Sequence, residues 1–338
     1  MSTTSTRVNA AQDPLQKTTS RFSRDGLVHW AKEQYPLYIL IVLLIVAGLS
    51  TDAFFTSRNL TNLILQVSVI GIVALAQFLI VLTGGIDISV GSVVGLAGVV
   101  CTLAFGGVSV PLAILIAIAL GMLVGLLNGY FVAFRKLEPF IVTLGMLSLA
   151  RGLVYALTEG VPVQPQAEDF RRIATTTVLG FPLIGLIWLA LAAAIWFITR
   201  RTVFGRRVFA LGSNPDAAFA SGVPVKPTLL VVWVIAGAMV GFAGFLLASR
   251  IGVGTPTAGT LYELDSIAAV VIGGASLRGG KGRVLGVVFG TLIFGIITNL
   301  LVLLNVSTFL QDAFRGGLIL LAVVMTTIHF KSRRKQTA

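Results

Sequence analysis

Asp87 is the residue whose type and setting point most directly to chemistry. It lies in the segment LTGGIDISVGS (82–92), between two long apolar runs, with glycines on both sides and Ser89 two positions later. A carboxylate at membrane depth must face a cavity, pair with a cation or reach the aqueous edge, because its burial alone is costly. Asp87 is therefore part of a polar solute path, or a cap, with Asp87 or Ser89 accepting free N–H groups at the start of the next helix, or both.

Other residue types that catalyse reactions or bind metals are scarce. The two histidines, His29 and His329, lie at the edges of apolar runs, and the single cysteine, Cys101, lies inside one. A zinc site or a His-based triad needs several such groups together. The segment GGKG at 279–282 lacks the G-x4-G-K-[ST] spacing of a phosphate loop and is better explained as a tight, basic turn. We therefore expect no catalytic residue, metal site, nucleotide site or cofactor in this chain.

The long polar connection at residues 200–227 has the signals of a short helix outside the membrane. Asn214 precedes the sequence PDAAFASG and can cap the helix, while Pro215 occupies the first turn, where its missing N–H does no harm. Asp216 favours the positive end of the helix dipole, and Gly222 is placed to end the helix. Such a helix either docks a soluble partner or packs on the membrane surface.

The elements that must position these residues are membrane helices. Of the 338 residues, 56% are hydrophobic and only 11% are charged, and the mean hydropathy is +0.96. Soluble proteins carry about 25% charged residues, and several apolar runs here reach the roughly 20 residues that a membrane crossing needs. The net charge of +12 comes from basic residues between and beyond these runs. It therefore marks the cytoplasmic side of a lipid bilayer rather than a nucleic-acid-binding surface.

Charge also sets the number of crossings. Eight spans are clear from their length and apolar character, namely residues 37–55, 62–82, 111–134, 139–157, 181–199, 228–249, 284–304 and 310–330. Two weaker segments, 89–106 and 264–276, are needed as well, because the basic N-terminal tail, the loop 200–207 and the basic C-terminal tail must share one side. This arrangement places 19 of the 25 Lys and Arg residues in the cytoplasm. We predict an all-α, polytopic helical bundle of about ten transmembrane helices with both termini cytoplasmic.

Three regions follow from this count. Residues 1–35 are predicted to be a disordered cytoplasmic tail without the apolar stretch and cleavage site of a secretory signal. Residues 36–330 form the membrane domain, and residues 331–338 form a basic cytoplasmic tail.

Glycines and internal polar residues subdivide the spans. Two small-residue spacings predict close helix packing, Gly121-x3-Gly125 and Gly286-x3-Gly290. Two glycine pairs predict broken helices or tight turns at membrane depth, which are tolerated only beside protein or a water-filled cavity; they are Gly84–Gly85 and Gly273–Gly274. Polar side chains within spans either line a solute path or tie helices together, and the candidates are Asn62, Gln66, Gln77, Asn128 and Asn299.

Four ordered blocks carry a resemblance to a known family. They are LTGGIDISVGS (82–92), EPFIVTLGMLSLARG (138–152), GRRVFALGSNPDAAFASGV (205–223) and VVIGGASLRGGKGRVLGVVFG (270–290). Over residues 37–330 the chain resembles the permease subunits of bacterial ABC importers for monosaccharides of the ribose, xylose, arabinose and galactose type. The resemblance implies a multi-pass protein of the bacterial inner membrane that works with ABC ATPase subunits, a periplasmic sugar-binding protein and a second permease subunit. That second subunit is either identical or a paired homologue.

The resemblance also implies roles for individual residues. The loop 200–227 resembles the helix that couples the permease to its ATPase, with Asp216 where Glu is common. The residues implied in coupling are Arg206, Arg207, Asn214, Asp216, Ala217, Ala218 and Gly222. Asp87, Ser89 and the adjacent glycines match a stretch that lines or shapes the translocation path. The second glycine pair is added as a helix break, and Asn128 is added from its position within a span. The predicted path residues are Gly84, Gly85, Asp87, Ser89, Gly91, Asn128, Gly273 and Gly274.

Other functions stay open on the sequence alone. A permease for an autoinducer, a nucleoside or an amino acid has the same general pattern. An ion-coupled secondary transporter would usually place paired carboxylates, or a carboxylate with a cation, at mid-depth, and here Asp87 is the only such candidate. A membrane-embedded enzyme is disfavoured by the scarcity of His and Cys and by the lack of clustered carboxylates. The expected function is therefore transport, with ATP hydrolysis carried out by a separate subunit.

Overall fold

The computed structural model describes residues 35–104, 109–165, 168–318 and 320 of the chain. The predicted tails at 1–35 and 331–338, apart from Tyr35, and the later part of the predicted span 310–330 lie outside the described residues. The two histidines lie outside them as well.

The described part of the chain is almost entirely helical. Its first helices are α1 (Tyr35–Ser50), α2 (Ser57–Leu82), α3 (Val90–Ala104), α4 (Val110–Ala133) and α5 (Pro139–Thr158). A 3₁₀ turn (Glu168–Arg171), the short α6 (Arg172–Thr175) and a small antiparallel hairpin of β1 (Thr177–Val178) and β2 (Phe181–Pro182) follow. The remaining helices are α7 (Leu183–Arg201), α8 (Val203–Ser213), α9 (Pro215–Ala220), α10 (Val225–Ile251), α11 (Tyr262–Ile272), α12 (Val284–Leu303) and α13 (308–318).

The ends of several helices differ from the predicted ones for local reasons. Helix α2 begins at Ser57 rather than at 62, because the hydroxyl of Thr56 caps it by accepting the N–H of Asn59 at 3.4 Å. Helix α1 ends at Ser50 rather than at 55. The predicted span 264–276 is a helix of only 11 residues, α11, which ends where the chain turns at Gly273.

Six of the described helices are long and apolar enough to cross a bilayer by length and composition, namely α2, α4, α5, α7, α10 and α12. Helices α1 and α3 are apolar but shorter, with 16 and 15 residues. Large aliphatic side chains on the outside of the bundle, such as Leu115 and Ile141, are exposed in the single chain. This is the surface that a helix bundle presents to lipid.

The core is built around α2 and α10. Most of the residues of both helices are buried. Helix α10 lies directly against α4, because a Cβ atom at Gly121 would overlap the carbonyl of Gly237, and one at Gly125 would overlap the carbonyl of Trp233. The close packing predicted for the Gly121-x3-Gly125 spacing is thus confirmed.

Four connections meet at one end of the bundle, here called the basic end: residues 83–89, 134–138, 202–224 and 273–283. The N–H of Gly280 donates to the carbonyl of Leu82 at 2.9 Å, and the N–H of Ile88 donates to Thr143 Oγ1 at 3.2 Å. The Lys226 ammonium lies 5.9 Å from the centroid of the Phe134 ring. Basic residues crowd this end, namely Arg135, Lys136, Arg200, Arg201, Arg206, Arg207, Lys226, Arg278, Lys281 and Arg283.

Two of the intervening connections, 159–182 and 252–261, meet at the opposite end. Val163 and Gly254 form an isolated antiparallel bridge, and the Ser249 hydroxyl donates to the carbonyl of Phe170 at 2.7 Å. Between the described helices, successive connections therefore alternate between the two ends of the bundle.

An irregular segment at residues 252–261 enters the bundle between α10 and α11. It runs along α3, because Gly254 packs against Thr102 near the end of α3 while Gly259 packs against Gly91 near its start. Arg151 of α5 holds the segment by donating from Nη1 to the carbonyls of Pro256 at 2.8 Å and Ala258 at 3.1 Å. Backbone groups of a non-helical segment are thus satisfied by protein, as burial inside a membrane domain requires.

Candidate functional site

Asp87 is the centre of a buried polar cluster that joins three helices. Its Oδ1 accepts both the backbone N–H of Ser89 at 2.7 Å and the Ser89 hydroxyl at 2.6 Å. Asn128 of α4 donates from Nδ2 to the Ser89 hydroxyl at 3.3 Å. In the orientation that satisfies both of its polar groups, the Gln77 amide of α2 donates to the Asp87 carbonyl at 3.0 Å and accepts the Asp87 N–H at 3.2 Å. We call Gln77, Asp87, Ser89 and Asn128 the Asp87 cluster.

The cluster lies inside the bundle rather than at its surface. Gln77 is five residues before the end of α2, which corresponds to about 7.5 Å of helix rise. Asn128 lies five residues before the end of α4, and Thr143, which accepts from Ile88, lies four residues after the start of α5. All three helices thus place residues 87–89 about 6–8 Å inside the basic end. The chain turns back into the protein after α2, which is the broken-helix arrangement that Gly84–Gly85 predicted.

Within this cluster Asp87 is a turn-forming residue. A carboxylate that accepts the N–H two residues ahead is an Asx turn, which fixes the backbone before the first turn of α3. The hydrogen bonds show a local structural role for Asp87 directly before α3. Gly84, with φ +84°, and Gly85 form the turn before it, and Gly91 packs against the backbone of Gly259. A role of these residues in a solute path stays a prediction.

The second glycine pair ends α11. Gly273 lies against the backbone of Gly286, and Gly274 has φ +84°, so the chain reverses directly after the helix. The following loop is closed by the Ser276 N–H, which donates to the Lys281 carbonyl at 2.9 Å. The turn that Gly273–Gly274 predicted is therefore present, and the loop after it returns to the end of α2.

Four glycines form a junction at the basic end, which we call the glycine junction: Gly84, Gly212, Gly279 and Gly280. A Cβ atom at Gly212, at the end of α8, would overlap the carbonyl of Leu82. A Cβ atom at Gly279 would come within 3 Å of the Gly212 carbonyl oxygen, and one at Gly280 would come within 3 Å of Ser213, the last residue of α8. Helix α8 therefore rests directly on the end of α2 and on the loop after α11, with no side chain between them.

The predicted helix at 214–222 is present as α9. The Asn214 side chain accepts the N–H of Ala217 at 3.0 Å, as predicted for its cap. Gly222 ends the helix with φ +79°, and the N–H of Val223 donates to the carbonyl of Ala218 at 3.0 Å. These local predictions are confirmed.

Helix α9 projects from the bundle. Ala218 is its only buried residue, while Asp216, Ala217 and Gly222 are exposed. Phe219 has 74% of its surface exposed. Arg206 and Arg207 of α8 are exposed nearby in the sequence. Most of the surface of α9 therefore lies outside the bundle.

A separate cavity of about 540 Å³ lies towards the opposite end. It is lined by α2, the end of α10, the irregular segment, the start of α11 and α13, and we call it the vestibule cavity. Its polar lining residues are Gln66, Arg250, Thr255, Thr257, Thr260, Tyr262, Asp265 and Arg315. Of the polar span residues considered from the sequence, Gln66 lies here, whereas Asn299 pairs with Asn59 at 2.8 Å and ties helices together.

None of the predicted path residues is among those lining the vestibule cavity. The sequence signal that could have found it is the threonine-rich segment TPTAGT at 255–260, which precedes the weak predicted span 264–276. A segment between two predicted spans suits a connecting loop, and a loop on the surface has no reason to line a cavity. Asp265 lies near the start of that predicted span, and it is a buried residue of α11.

Comparison with known proteins identifies the family. Residues 59–323 match the family model described as branched-chain amino acid transport system / permease component. The chain is 38% identical over 298 residues to the D-allose transport system permease protein AlsC of Escherichia coli K12, covering 88% of this chain and 91% of the relative. It is 36% identical to the ribose import permease protein RbsC of Bacillus subtilis (93% and 97% covered) and 34% identical to the xylose transport system permease protein XylH of Haemophilus influenzae (87% and 97%). No solved structure matches the chain significantly. With a family model covering most of its length and curated relatives well above 30% identity, the chain belongs to this family of transport-system permease components.

Proposed function

We propose that the chain is the transmembrane permease subunit of an ATP-driven ABC importer that carries a monosaccharide delivered by a periplasmic binding protein. The relatives are named for the transport of ribose, D-allose and xylose, which share the chemistry of a small neutral polyol. The structural observation that carries the proposal is helix α9, which projects from the bundle and rests, through α8, on the glycine junction. Movement imposed on α9 by a soluble subunit therefore has a direct mechanical route into the bundle.

This route divides at the glycine junction. One branch passes through the end of α2 to the loop that holds the Asp87 cluster, since Gln77 and Leu82 belong to the same helix. The other passes through the loop 273–283 to α11, which starts at the vestibule cavity. In this mechanism ATP binding and hydrolysis in the partner tilt the bundle, and both breaks in the helices move with it. The Asp87 cluster shapes the path by fixing the loop 83–89.

We further propose ten crossings of the bacterial inner membrane with both termini in the cytoplasm. Helices α1, α2, α3, α4, α5, α7, α10, α12 and α13 supply nine, and the irregular segment together with α11 supplies the tenth. The alternation of the connections between two ends supports this count. The accumulation of Lys and Arg at the basic end supports a cytoplasmic position for it.

The proposed partners follow from the same arrangement. Two ABC ATPase subunits would bind α9 of two permease subunits, which are either identical or a homologous pair. The residues proposed to bind the ATPase, or to hold α8 and α9 in place for that binding, are Arg206, Arg207, Asn214, Asp216, Ala217, Ala218 and Gly222. The periplasmic binding protein would dock at the opposite end, where the vestibule cavity lies.

Reconstitution tests the proposal. The permease is placed in proteoliposomes with its ATPase subunit, the binding protein is added outside, and uptake of radiolabelled ribose, xylose and allose is followed with and without internal ATP. We expect uptake that requires ATP, the binding protein and an ATPase capable of hydrolysis. Uptake driven by a proton or sodium gradient in the absence of the ATPase would contradict the proposal and identify an ion-coupled transporter. If an amino acid or a nucleoside were taken up and none of the sugars were, the ATP-driven mechanism would stand, but the proposed solute would be wrong.

A further inference from the structure

The vestibule cavity has the position and size of a binding site for a small solute. It lies away from α9, since its lining residues Leu247, Arg250 and Ile251 are at the end of α10, whose start is at the basic end. It reaches inward as far as Gln66 and Ile70, which are nine and thirteen residues into α2 and so about 13–20 Å along that helix. Its volume of about 540 Å³ is within the range of pockets that enclose small molecules.

Its lining supplies both donors and acceptors of hydrogen bonds. The hydroxyls of Thr255 and Thr257 lie 3.1 Å apart, and the Thr260 hydroxyl donates to the Thr257 carbonyl at 2.7 Å. Each of these hydroxyls keeps a lone pair for a further donor. Sugars need such a mixture, because every hydroxyl group of a sugar both donates and accepts.

Asp265 is the least expected residue of this lining. It retains only 1% of its surface, and its Oδ1 has no hydrogen-bond partner in the part of the chain that the structure describes. A buried carboxylate oxygen without a donor is strongly unfavourable. Arg315, which lines the same cavity, has a buried Nε–H that likewise lacks a partner among the described residues. A buried acceptor and a buried donor at the wall of the cavity thus both lack a partner among the described residues.

Charges of both signs surround the cavity, which bears on the class of ligand. Arg250, Arg315 and Asp265 line it, and Asp312 lies 3.6 Å from Arg315. Glu263, two residues before Asp265, adds a further carboxylate beside it. Because neither sign is present alone, the lining suits a neutral molecule with several hydroxyls better than an ion.

We propose that the vestibule cavity binds a neutral polyhydroxylated solute, with the Asp265 carboxylate accepting from its hydroxyls and Arg315 donating to them. The inference rests on the proposed function and adds a contact site for the sugar within the permease itself. Because a buried acceptor is left without a donor when a hydroxyl is missing, the site discriminates against deoxy sugars. Affinity is modest, since the site must release the solute toward the basic end.

The test uses the full chain in lipid nanodiscs with no binding protein. Saturation-transfer difference NMR measures binding of D-ribose, D-xylose, D-allose and 2-deoxy-D-ribose. We expect at least one of the three parent sugars to bind, and Asp265→Asn to weaken that binding by about tenfold or more. Asp52→Asn is the matched control, because Asp52 is an exposed carboxylate of the loop after α1 and does not line the cavity. We expect it to leave binding unchanged.

Two further variants keep the test decisive if Asp265→Asn fails to fold. Thr257→Val and Thr260→Val replace exposed hydroxyls of the lining, and each is expected to weaken sugar binding several-fold with normal gel-filtration behaviour. Absence of binding to the wild-type chain, or equal binding by all the cavity variants, would overturn the inference. If ATP-dependent uptake still occurred in proteoliposomes, the proposed function would stand without this site; if uptake failed too, both would fall.

Discussion

The backbone N–H of Gly280 donates a 2.9 Å hydrogen bond to the carbonyl of Leu82, the last residue of α2. This bond joins the loop after α11 to the end of the most buried long helix. Helix α8 closes over it, since Gly212 is in contact with both residues. Two helix breaks that are almost 200 residues apart in the sequence thus meet under the helix that precedes α9.

Gly212→Val should block this contact. Its side chain would overlap the Leu82 carbonyl, so α8 must lift away from the glycine junction. We expect sugar uptake to fall about tenfold or more while the ATPase subunit still hydrolyses ATP, because the route from α9 into the bundle is interrupted. Uptake and ATPase rates in the same proteoliposomes measure this uncoupling. Gly145→Ala is the control, since a Cβ atom there meets nothing within 4 Å. Normal coupling in Gly212→Val would contradict the proposed route.

Gly222→Ala should weaken binding of the ATPase subunit. Gly222 has φ +79° at the end of α9, where a side chain costs roughly 1–2 kcal/mol and loosens the helix end. Co-purification of the ATPase with the tagged permease measures the effect, and combination with Asp216→Lys should strengthen it. Gly180→Ala introduces the same strain at φ +80° in the β1–β2 turn, which is remote from α9. Equal loss of the ATPase in both glycine variants would show that the effect is general destabilisation.

Asp87→Ala should destabilise the protein, whereas Asp87→Asn should be tolerated. Alanine leaves the buried Ser89 N–H and hydroxyl without their acceptor, at about 1–3 kcal/mol for each unsatisfied group. Asparagine keeps one side-chain oxygen and can still form the Asx turn. Thermal unfolding in detergent compares the two variants. A stable Asp87→Asn variant that has lost uptake would instead indicate that the charge itself acts on the solute path.

Cysteine labelling should assign the two ends of the bundle. Cys101 is buried within α3 and should not react with a membrane-impermeant maleimide in intact protein. In a Cys101→Ala background, Leu179→Cys should be labelled from the periplasmic side, because Leu179 is fully exposed in the β1–β2 turn. Phe219→Cys on α9 should react only in inverted vesicles. The reverse pattern would invert the proposed topology.

Local signals in the sequence predicted the features that depend on a few neighbouring residues. The cap by Asn214, the end of α9 at Gly222 and the turns at both glycine pairs are confirmed, because capping and positive φ are decided within one turn of chain. The positions of the long helices could also be predicted from the sequence, because an apolar run of about 20 residues has few alternatives to a membrane helix. The number of crossings and the orientation stay predictions.

The vestibule cavity was not predictable in the same way. Gln66, Asp265 and Arg315 come from three helices that are far apart in the sequence, and no local pattern shows that they face one space. The irregular segment 252–261 contributed to this difficulty, since its glycines and threonines also suit a surface loop. The burial of Asp265 depends entirely on tertiary packing, which composition and charge patterns do not contain.

The arginine that holds the irregular segment has a consequence for how the protein is made. Arg151 lies within α5, and an arginine inside a transmembrane helix costs about 2.5–3.5 kcal/mol during insertion. Its acceptors, the carbonyls of Pro256 and Ala258, are synthesised more than 100 residues later, about 5 to 20 s at ribosomal speed. During biosynthesis α5 must therefore remain beside the insertion machinery or shield its guanidinium by other means until the second half of the chain arrives. The final environment of Arg151 thus forms only after the second half of the chain has been inserted.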